Sequence, residues 1–342
     1  MQPLFTIGMP VYNAMPYLPE AVESVLRQVY PHFELLVIND GSSDASLEYL
    51  YSVRDPRIRI ICQKNRGITA ALNRLLEEAR APWLVRLDAD DVAHPERLAL
   101  VAEAIKRHPA GGMFYSRADH YGHARMMAPA RASEGTPAEL REVTREGYLL
   151  SIVHSSVVLN VAKTRALGGY RFDLHIEDLD LWWRMVLRHD IVFIPQVTVQ
   201  YRLNHRSACI GGLQELAANT LFAQYLLLSH LWGLEPQPYE SVIAALDAMV
   251  DRSRLAYREH MWRAAAHVSA QQTFSAVPHL VRAALLSPAQ FMRRAAYPLS
   301  NEIVHRGEDP GRFRRIAREL WVTPKIADVL PPGRPAIHDV CR

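Results

Sequence analysis

The feature that most restricts the fold of this chain is a regular alternation of short apolar runs and amphipathic segments over roughly the first 120 residues. The apolar runs are typical of buried β-strands, and the segments between them place apolar residues at helical spacing. The strand candidates are residues 4–9, 33–38, 57–62, 83–87 and 112–116. This order predicts an α/β fold with a mainly parallel, Rossmann-like sheet that has helices on both faces.

After this region the pattern changes. Residues 120–150 are rich in Ala, Pro and Arg, and we expect an irregular loop there. Two further strands are predicted at residues 156–160 and 191–201, with a helix between them at residues 177–188. From about Gly212 onward the pattern is helical throughout. We therefore predict an α/β domain over residues 1–211 and a helical C-terminal region over residues 212–342.

Composition narrows the class of protein further. Hydrophobic residues make up 49% of the chain, which is typical of a globular protein. A net charge of +3 is too small to indicate nucleic acid as the partner. The three cysteines are few and far apart, which favours a reducing compartment over a disulfide framework. We find neither a secretory signal nor an apolar run that would span a membrane, so we expect a cytoplasmic protein.

Polar loops follow four of the predicted strands. They are residues 10–13, 39–41, 65–67 and 88–91. Ligands of open α/β sheets bind at the carboxyl ends of the strands. The four loops therefore predict one continuous pocket along that edge of the sheet.

The strongest local signal is the acidic turn of Asp88, Asp90 and Asp91. Three carboxylates in four residues repel one another unless a cation neutralises them. Oxygen ligands suit Mg²⁺ or Mn²⁺, and such an ion could bridge a diphosphate and stabilise its departure. The alternative is a solvated acidic turn that caps the following helix.

Asp40 opens a second motif, Asp-Gly-Ser-Ser-Asp. Its carboxylate could accept hydrogen bonds from a nucleobase N–H or from ribose hydroxyls. The alternative is a simple turn with a helix cap, and for Asp44 we favour such a structural role at the helix N-terminus.

Four motifs together resemble the family-two inverting glycosyltransferases of GT-A fold. They are TIGMPVYN from residue 6, VINDGSSD from residue 37, NRG from residue 65 and LDADD from residue 87, and the likeness covers roughly residues 4–205. It implies a UDP- or dTDP-type sugar donor, Mn²⁺ or Mg²⁺, and inversion at the anomeric carbon. The nucleotide-binding candidates are then Pro10, Tyr12, Asn13, Asp40, Asn65, Gly67 and Asp88. The metal-ligand candidates are Asp90, Asp91 and His205.

The same family carries an acidic pair on a helix beside the acceptor, and here the pair is Glu177 and Asp178. The resemblance implies that Asp178 is the general base that removes the proton of the acceptor hydroxyl, with Glu177 as the second candidate. The alternative is a helix N-terminus that is merely rich in acids. Asp180 cannot share a helix face with Asp178 and is expected off the site. For His154, an ordinary polar role is favoured over one near the diphosphate.

Some relatives use a histidine after a late strand as a further metal ligand, which is the basis for His205. Arg202 and Arg206 could instead meet phosphate charge. Relatives that build long polymers often carry a Gln-x-x-Arg-Trp motif, which this chain lacks. We therefore expect transfer of a single sugar to a glycan or polyprenyl-linked acceptor, with bacterial surface polysaccharide synthesis as a family-level expectation.

The C-terminal region carries a basic amphipathic segment at residues 277–318. Such a segment can lie on an anionic membrane surface, which predicts peripheral contact with the cytoplasmic face of the membrane. The alternative is a helical annex with a solvated basic face.

Two other functions were weighed against glycosyl transfer. A sugar-phosphate nucleotidyltransferase typically has a Gly-rich, basic phosphate loop after the first strand, and residues 9–13 contain no Lys or Arg. A non-catalytic nucleotide-sugar-binding protein would not need the Glu177–Asp178 pair.

Overall fold

The computed structural model describes residues 4–121, 130, 132–202, 213–269 and 272–295. None of the helices in these ranges combines the length and the apolar character that crossing a bilayer requires.

The described part of the chain contains one eight-stranded sheet. Its strands are β1 (Phe5–Val11), β2 (Phe33–Asn39), β3 (Ile58–Cys62), β4 (Trp83–Arg86), β5 (Val92–Ala93), β6 (Met113–Tyr121), β7 (Val157–Asn160) and β8 (Ile191–Arg202). Their order across the sheet is β3-β2-β1-β4-β7-β6-β8-β5.

Parallel pairing is concentrated in the N-terminal half of this sheet. Strand β1 pairs in parallel with β2 and β4, and β2 pairs in parallel with β3. Strand β7 joins β4 and β6 in antiparallel pairs, and β5 pairs antiparallel with β8. The predicted α/β fold is confirmed, but the sheet is mixed, and parallel pairing is found among the first four strands.

Helices cover both faces of the sheet. They are α1 (Leu18–Leu26), α2 (Ser46–Ser52), α3 (Ile68–Glu78), α4 (Arg97–Arg107), α5 (Pro137–Arg145), α6 (Val161–Ala166) and α7 (Glu177–Arg188). The later helices are α8 (Leu213–Leu231), α9 (Tyr239–Asp247), α10 (Arg252–Ser269), α11 (Thr273–Leu286) and α12 (Pro288–Ala295). The α7 bounds agree with those predicted from the apolar spacing.

Helix α3 illustrates how the apolar pattern produces the core. Its residues Ala71, Leu72 and Leu75 are buried on one face. Burial of a leucine side chain is worth about 1.5–3 kcal/mol. Gly8 in β1 permits the close approach, because a Cβ there would lie 2.8 Å from Leu84 Cδ1 and 3.2 Å from Leu75 Cδ1.

Helix α5 corrects the expectation of an irregular loop over residues 120–150. Glu139 N donates to Thr136 Oγ1 at 3.3 Å, and Thr136 N donates to Glu139 Oε2 at 2.8 Å, which forms a capping box. Pro137 at the first helical turn supports the same start. The Thr-Pro-Ala-Glu sequence was therefore a helix signal that the analysis of composition overlooked. Residues 122–129 and 131 lie outside the described residues.

The chain divides into two compact units. Among the described residues, one unit contains residues 4–118, 130 and 132–201, and the other contains residues 119–121, Arg202 and the helices from Leu213 onward. The predicted domain boundary between residues 211 and 212 stays a prediction, since residues 203–212 are outside the described ranges.

Candidate active site

The parallel register brings the polar loops of β1, β2 and β3 to one edge of the sheet. Val11 lies opposite Asn39, and Asn39 lies opposite Cys62. Asp40 N then donates to Val11 O at 2.8 Å, directly beyond the paired strands. The loops that follow these strands are therefore neighbours, as their position in the sequence predicted.

Asp40 is the centre of this loop cluster. Its side chain is buried and accepts hydrogen bonds from Gln63 Nε2 at 2.7 Å, Arg66 N at 3.0 Å and Gly67 N at 3.0 Å. A carboxylate offers about four acceptor positions, so about one remains for a ligand N–H or O–H. Asp40 thus fixes the loop after β3 and keeps some capacity to bind a nucleoside.

The loop of residues 65–67 depends on the backbone of Gly67. Its φ is +83°, and a Cβ there would lie 2.6 Å from Asp173 Oδ2. Gly67 N also donates to Asn65 Oδ1 at 3.1 Å. Asn65 and Gly67 therefore fix the loop that precedes helix α3. A side chain at position 67 would displace this loop.

Asn13 joins the first loop to the second. Its Oδ1 accepts hydrogen bonds from Ser43 N at 2.8 Å and Asp44 N at 3.2 Å. Pro10 is buried within β1, whereas Tyr12 is 53% exposed. Of the three first-loop candidates, Tyr12 therefore offers an aromatic face to a ligand.

Asp44 has the structural role that its sequence position predicted. Its carboxylate accepts hydrogen bonds from Met15 N and Ser46 N, both at 3.0 Å. These bonds connect the start of α2 with the loop after β1.

The acidic turn after β4 contains three carboxylates in different environments. Asp88 Oδ1 accepts from Arg86 Nη2 at 2.6 Å, and Asp88 Oδ2 accepts from Ser155 Oγ at 2.8 Å. Burial would raise the pKa of Asp88, but the charge of Arg86 and the two hydrogen bonds outweigh it and hold that pKa below its usual range. Asp88 is therefore an ionised carboxylate whose position is fixed by Arg86 and Ser155.

Asp90 and Asp91 differ in their access to a ligand. Asp90 is partly exposed, whereas Asp91 is fully buried. The Asp91 charge raises the pKa of the buried Arg97 and Arg86 guanidinium groups. Burial nevertheless lowers the pKa of Arg97 to about 9. This geometry favours Asp90 for contact with a cation and gives Asp91 a part in balancing buried arginine charge.

The acidic turn fits a divalent cation that is held by one carboxylate together with the phosphates of a substrate. Among the residues that the structure describes, no group of three or more His, Cys, Asp or Glu side chains is arranged to hold a metal ion. Mg²⁺ is commonly bound by one or two carboxylates together with the phosphates of its substrate. Asp90 fits that arrangement. His205 and Arg206 lie outside the described residues, and Arg202, at the end of β8, is buried.

The acidic pair begins helix α7. Burial raises the pKa of Asp178 to about 6, against the opposing effect of a hydrogen bond from Leu179 N at 2.6 Å. Burial and the neighbouring Asp178 charge raise the pKa of Glu177 to about 8. Both carboxyl groups therefore hold their protons to higher pH than free carboxyl groups do. Glu177 Oε2 is buried and has no hydrogen-bond partner among the described residues.

The charged groups of the acidic turn and of the acidic pair affect one another's pKa values. The charge of Asp88 raises the pKa of both Asp178 and Glu177, and the charge of Arg86 lowers both. The structure thus brings the acidic turn and the acidic pair into one electrostatic cluster around Arg86.

Arg86 lies at the centre of this cluster, and the sequence motifs did not indicate it. Its side chain is buried, and Nε and Nη1 have no hydrogen-bond partner among the described residues. A charged residue inside the apolar run of β4 was the available signal. Ser155 was also missed, because nothing in its local sequence marks it, yet its hydroxyl also accepts from Asp88 N at 3.0 Å.

His154 and Tyr170 complete the wall of this cluster. The distance from His154 Nε2 to Tyr170 Oη is 3.0 Å, and the His154 ring lies edge-on to Trp182. Burial, reinforced by the charge of Arg86, lowers the pKa of His154 to about 3. His154 is therefore a neutral ring at physiological pH and not a cation for a phosphate.

Asp180 lies apart from the acidic pair, as predicted. It is buried and forms ion pairs with Arg171 at 2.5 Å and Arg184 at 2.6 Å. Leu181, Trp182 and Met185 are buried as well, so this face of α7 packs inward.

A cavity of about 590 Å³ lies between α3 and residues 170–173. Gln63 and Arg66, which both bond to Asp40, are part of its lining. The acidic turn and the acidic pair do not line it. The candidate site is therefore the charge cluster, where ionisable groups with shifted pKa values converge.

Comparisons with known proteins bear on the family and the fold of this chain. Residues 6–160 match the sequence model of the family described as "Glycosyl transferase family 2". The glycosyltransferase EpsJ of Bacillus subtilis is 36% identical over 34% of this chain and 36% of its own length. The putative glycosyltransferase EpsE of the same organism is 29% identical over 53% of this chain and 66% of its own length. The alignments thus span less than two thirds of either relative.

Two solved structures share the fold. Part of S. aureus TarS, in complex with UDP-GlcNAc, has a TM-score of 0.56 at 14% identity and covers 87% of this chain and 93% of that one. A mannosyltransferase from Pyrobaculum calidifontis, in complex with GDP-Man and Mn²⁺, has a TM-score of 0.52 at 17% identity and covers 96% of this chain and 87% of that one.

Proposed function

We propose that this chain, whose residues 6–160 match the model of glycosyl transferase family 2, is an inverting enzyme that transfers a single sugar. The donor is a UDP- or dTDP-linked sugar, and the acceptor is the hydroxyl of a glycan or of a polyprenyl-linked glycan. Surface polysaccharide synthesis is the process that this chemistry would serve.

The observation that carries the proposal is the single charge cluster formed by Asp88, Arg86 and Asp178. Inverting transfer needs a base on the acceptor side and charge stabilisation on the diphosphate side of one anomeric carbon. The cluster supplies an ionised carboxylate with a raised pKa next to the turn that would receive the diphosphate.

In the proposed reaction, the Asp178 carboxylate takes the proton of the acceptor hydroxyl. The hydroxyl oxygen forms a bond to the anomeric carbon as the bond from that carbon to the diphosphate oxygen breaks. Glu177, which holds its proton to higher pH because of its raised pKa, can donate a hydrogen bond from its otherwise unbonded carboxyl group to a sugar hydroxyl.

On the donor side, Asp40 accepts a hydrogen bond from the nucleoside and Tyr12 stacks on its base. Asn13, Asn65 and Gly67 act by holding these loops in place. A divalent cation held by Asp90 and the diphosphate oxygens would neutralise the charge that develops as the diphosphate leaves. The Mn²⁺ in the solved mannosyltransferase supports a cation of this kind.

A paired binding and turnover experiment tests the proposal. The thermal shift of the protein is measured with UDP-, dTDP- and GDP-sugars, each with and without Mn²⁺, and nucleotide release is then followed with the donors that bind. We expect at least one UDP- or dTDP-sugar to raise the unfolding temperature and to be consumed when an acceptor is added. A protein that neither binds nor consumes any nucleotide sugar would contradict the proposed function.

A further inference from the structure

Helix α11 exposes a continuous apolar stripe. The stripe consists of Phe274, Val277, Val281 and Leu285, which are 94%, 50%, 53% and 76% exposed. At about 100° per residue, these positions fall within an arc of about 80° on one side of the helix. We call these four residues the α11 apolar face. Isolated exposed apolar residues are common, but four in one line are not.

The other side of α11 is already used for packing. Ala276 and Ala283 are buried, and His279 Nδ1 lies 3.0 Å from His260 Nδ1 of α10. His279 and the two alanines point roughly opposite to the α11 apolar face, because they lie about 140–200° around the helix from Phe274. The apolar face is therefore not the face by which α11 joins its neighbouring helix.

The last three described helices, one of which carries the α11 apolar face, are basic in sequence. Helices α10 to α12 contain one acidic residue, Glu259, and seven arginines, which are Arg252, Arg254, Arg258, Arg263, Arg282, Arg293 and Arg294. Arg282, on α11 itself, is exposed. A helix with an exposed apolar stripe and basic flanks is the pattern of a segment that lies in the headgroup region of an anionic bilayer.

We propose that the α11 apolar face binds the surface of an anionic lipid bilayer. From Phe274 to Leu285 the face is about 16 Å long, which is about half the thickness of a hydrocarbon core and suits a helix lying in the plane of the membrane. Charge complementarity favours lipid over a second copy of the chain, since two copies would bring like charges together. The apolar side chains enter the bilayer and each arginine near the surface adds about 1 kcal/mol of attraction, about a fivefold change in affinity.

Vesicle sedimentation with the full-length chain tests this proposal. Wild-type protein is mixed at low salt with vesicles of phosphatidylcholine alone or of phosphatidylcholine with about a third phosphatidylglycerol. We expect binding to the anionic vesicles that salt weakens, and little binding to neutral ones. The double variant Phe274→Ser/Leu285→Ser should bind about tenfold or more weakly, and Arg282→Glu should weaken binding to anionic vesicles alone.

The matched control is Val29→Ser/Tyr51→Ser, which removes two exposed apolar side chains from the other compact unit. It should bind vesicles as the wild type does. Because Phe274 and Leu285 are exposed, their double variant should keep the wild-type unfolding temperature and nucleotide-sugar turnover in the absence of lipid. Turnover is thus read separately from vesicle binding, and failure of the membrane proposal leaves the proposed catalytic function intact.

Three results would overturn the proposal. The first is a wild-type chain that does not sediment with anionic vesicles, and the second is a double variant that sediments as well as the wild type. The third is a double variant that lowers the oligomeric state or the unfolding temperature without lipid, which would assign the face to a second copy or to residues 296–342.

Discussion

The raised pKa of Asp178 leads to a quantitative prediction for the pH dependence of turnover. An unperturbed aspartate has a pKa of 3.8, and burial raises that of Asp178 to about 6. If Asp178 must be ionised to act as the base, kcat/KM at pH 5 should be about a tenth of its plateau value, whereas an aspartate with the unperturbed pKa would retain about nine tenths. The acidic limb of the profile therefore distinguishes a buried base from an exposed one.

Two variants isolate the origin of this limb. Asp178→Asn cannot accept the proton, so its turnover should fall by about 10²–10⁴-fold while donor binding persists. In Asp88→Asn the limb should move to lower pH, because the Asp88 charge contributes to the raised pKa and Arg86 is left less neutralised. Since Glu177 and Asp178 titrate together, the limb reports the first proton lost by the pair.

The assay is nucleotide release from pH 5 to pH 9 at constant ionic strength, with saturating cation. Glu103→Gln, which removes an exposed carboxylate from α4, is the matched control and should keep the wild-type profile. A wild-type kcat/KM at pH 5 that is still about nine tenths of its plateau value, or turnover by Asp178→Asn within a few-fold of wild type, would refute the assignment of Asp178 as the base.

Three further predictions concern binding and stability. Asp90→Ala should abolish the effect of Mn²⁺ on donor affinity with little change in the unfolding temperature, whereas Asp91→Ala should destabilise the fold by about 3–5 kcal/mol because it leaves the buried Arg97 less compensated. Asp40→Ala should weaken nucleotide binding about tenfold or more in calorimetry, since it removes a ligand contact and three bonds that fix the loop after β3. Glu177→Gln should stabilise the protein relative to wild type more at pH 9 than at pH 5. The folded-state pKa of Glu177 is raised from 4.5 to about 8, so the wild type loses stability as pH rises through that window, and each kcal/mol should appear as about 2–4 °C in thermal unfolding.

Each of these predictions has a result that would contradict it. The contrast between Asp90 and Asp91 fails if both variants lose the cation effect with equal stability. The role of Asp40 fails if nucleotide affinity is unchanged. The buried, protonated state of Glu177 fails if the unfolding temperature of Glu177→Gln tracks the wild type at both pH values.

Sequence pattern was a good guide to the elements that carry the site. The apolar runs of the parallel strands and the bounds of α7 agree with prediction, because buried strands and amphipathic helices impose their periods locally. The position of the polar loops at one sheet edge also agrees, since parallel strands must end there. The prediction of an irregular loop over residues 120–150 was wrong where α5 forms, because it followed from composition and did not consider the Thr136–Glu139 capping box.

The cluster around Arg86 shows where local pattern stops being informative. Asp88 and Ser155 are far apart in the chain, and β7 brings them together by pairing antiparallel with β4. The opposite environments of Asp90 and Asp91, adjacent in sequence, likewise depend on which of them the fold turns toward Arg97.

The kinds of residues available and the alternation of strands and helices along the chain could be predicted from the sequence, because side-chain chemistry and backbone periodicity are local properties. The protonation states of Asp178 and Glu177 could not, because a pKa depends on burial and on charges that distant segments bring close in space. Long-range packing thus raised the pKa values of both adjacent carboxyl groups above their usual range.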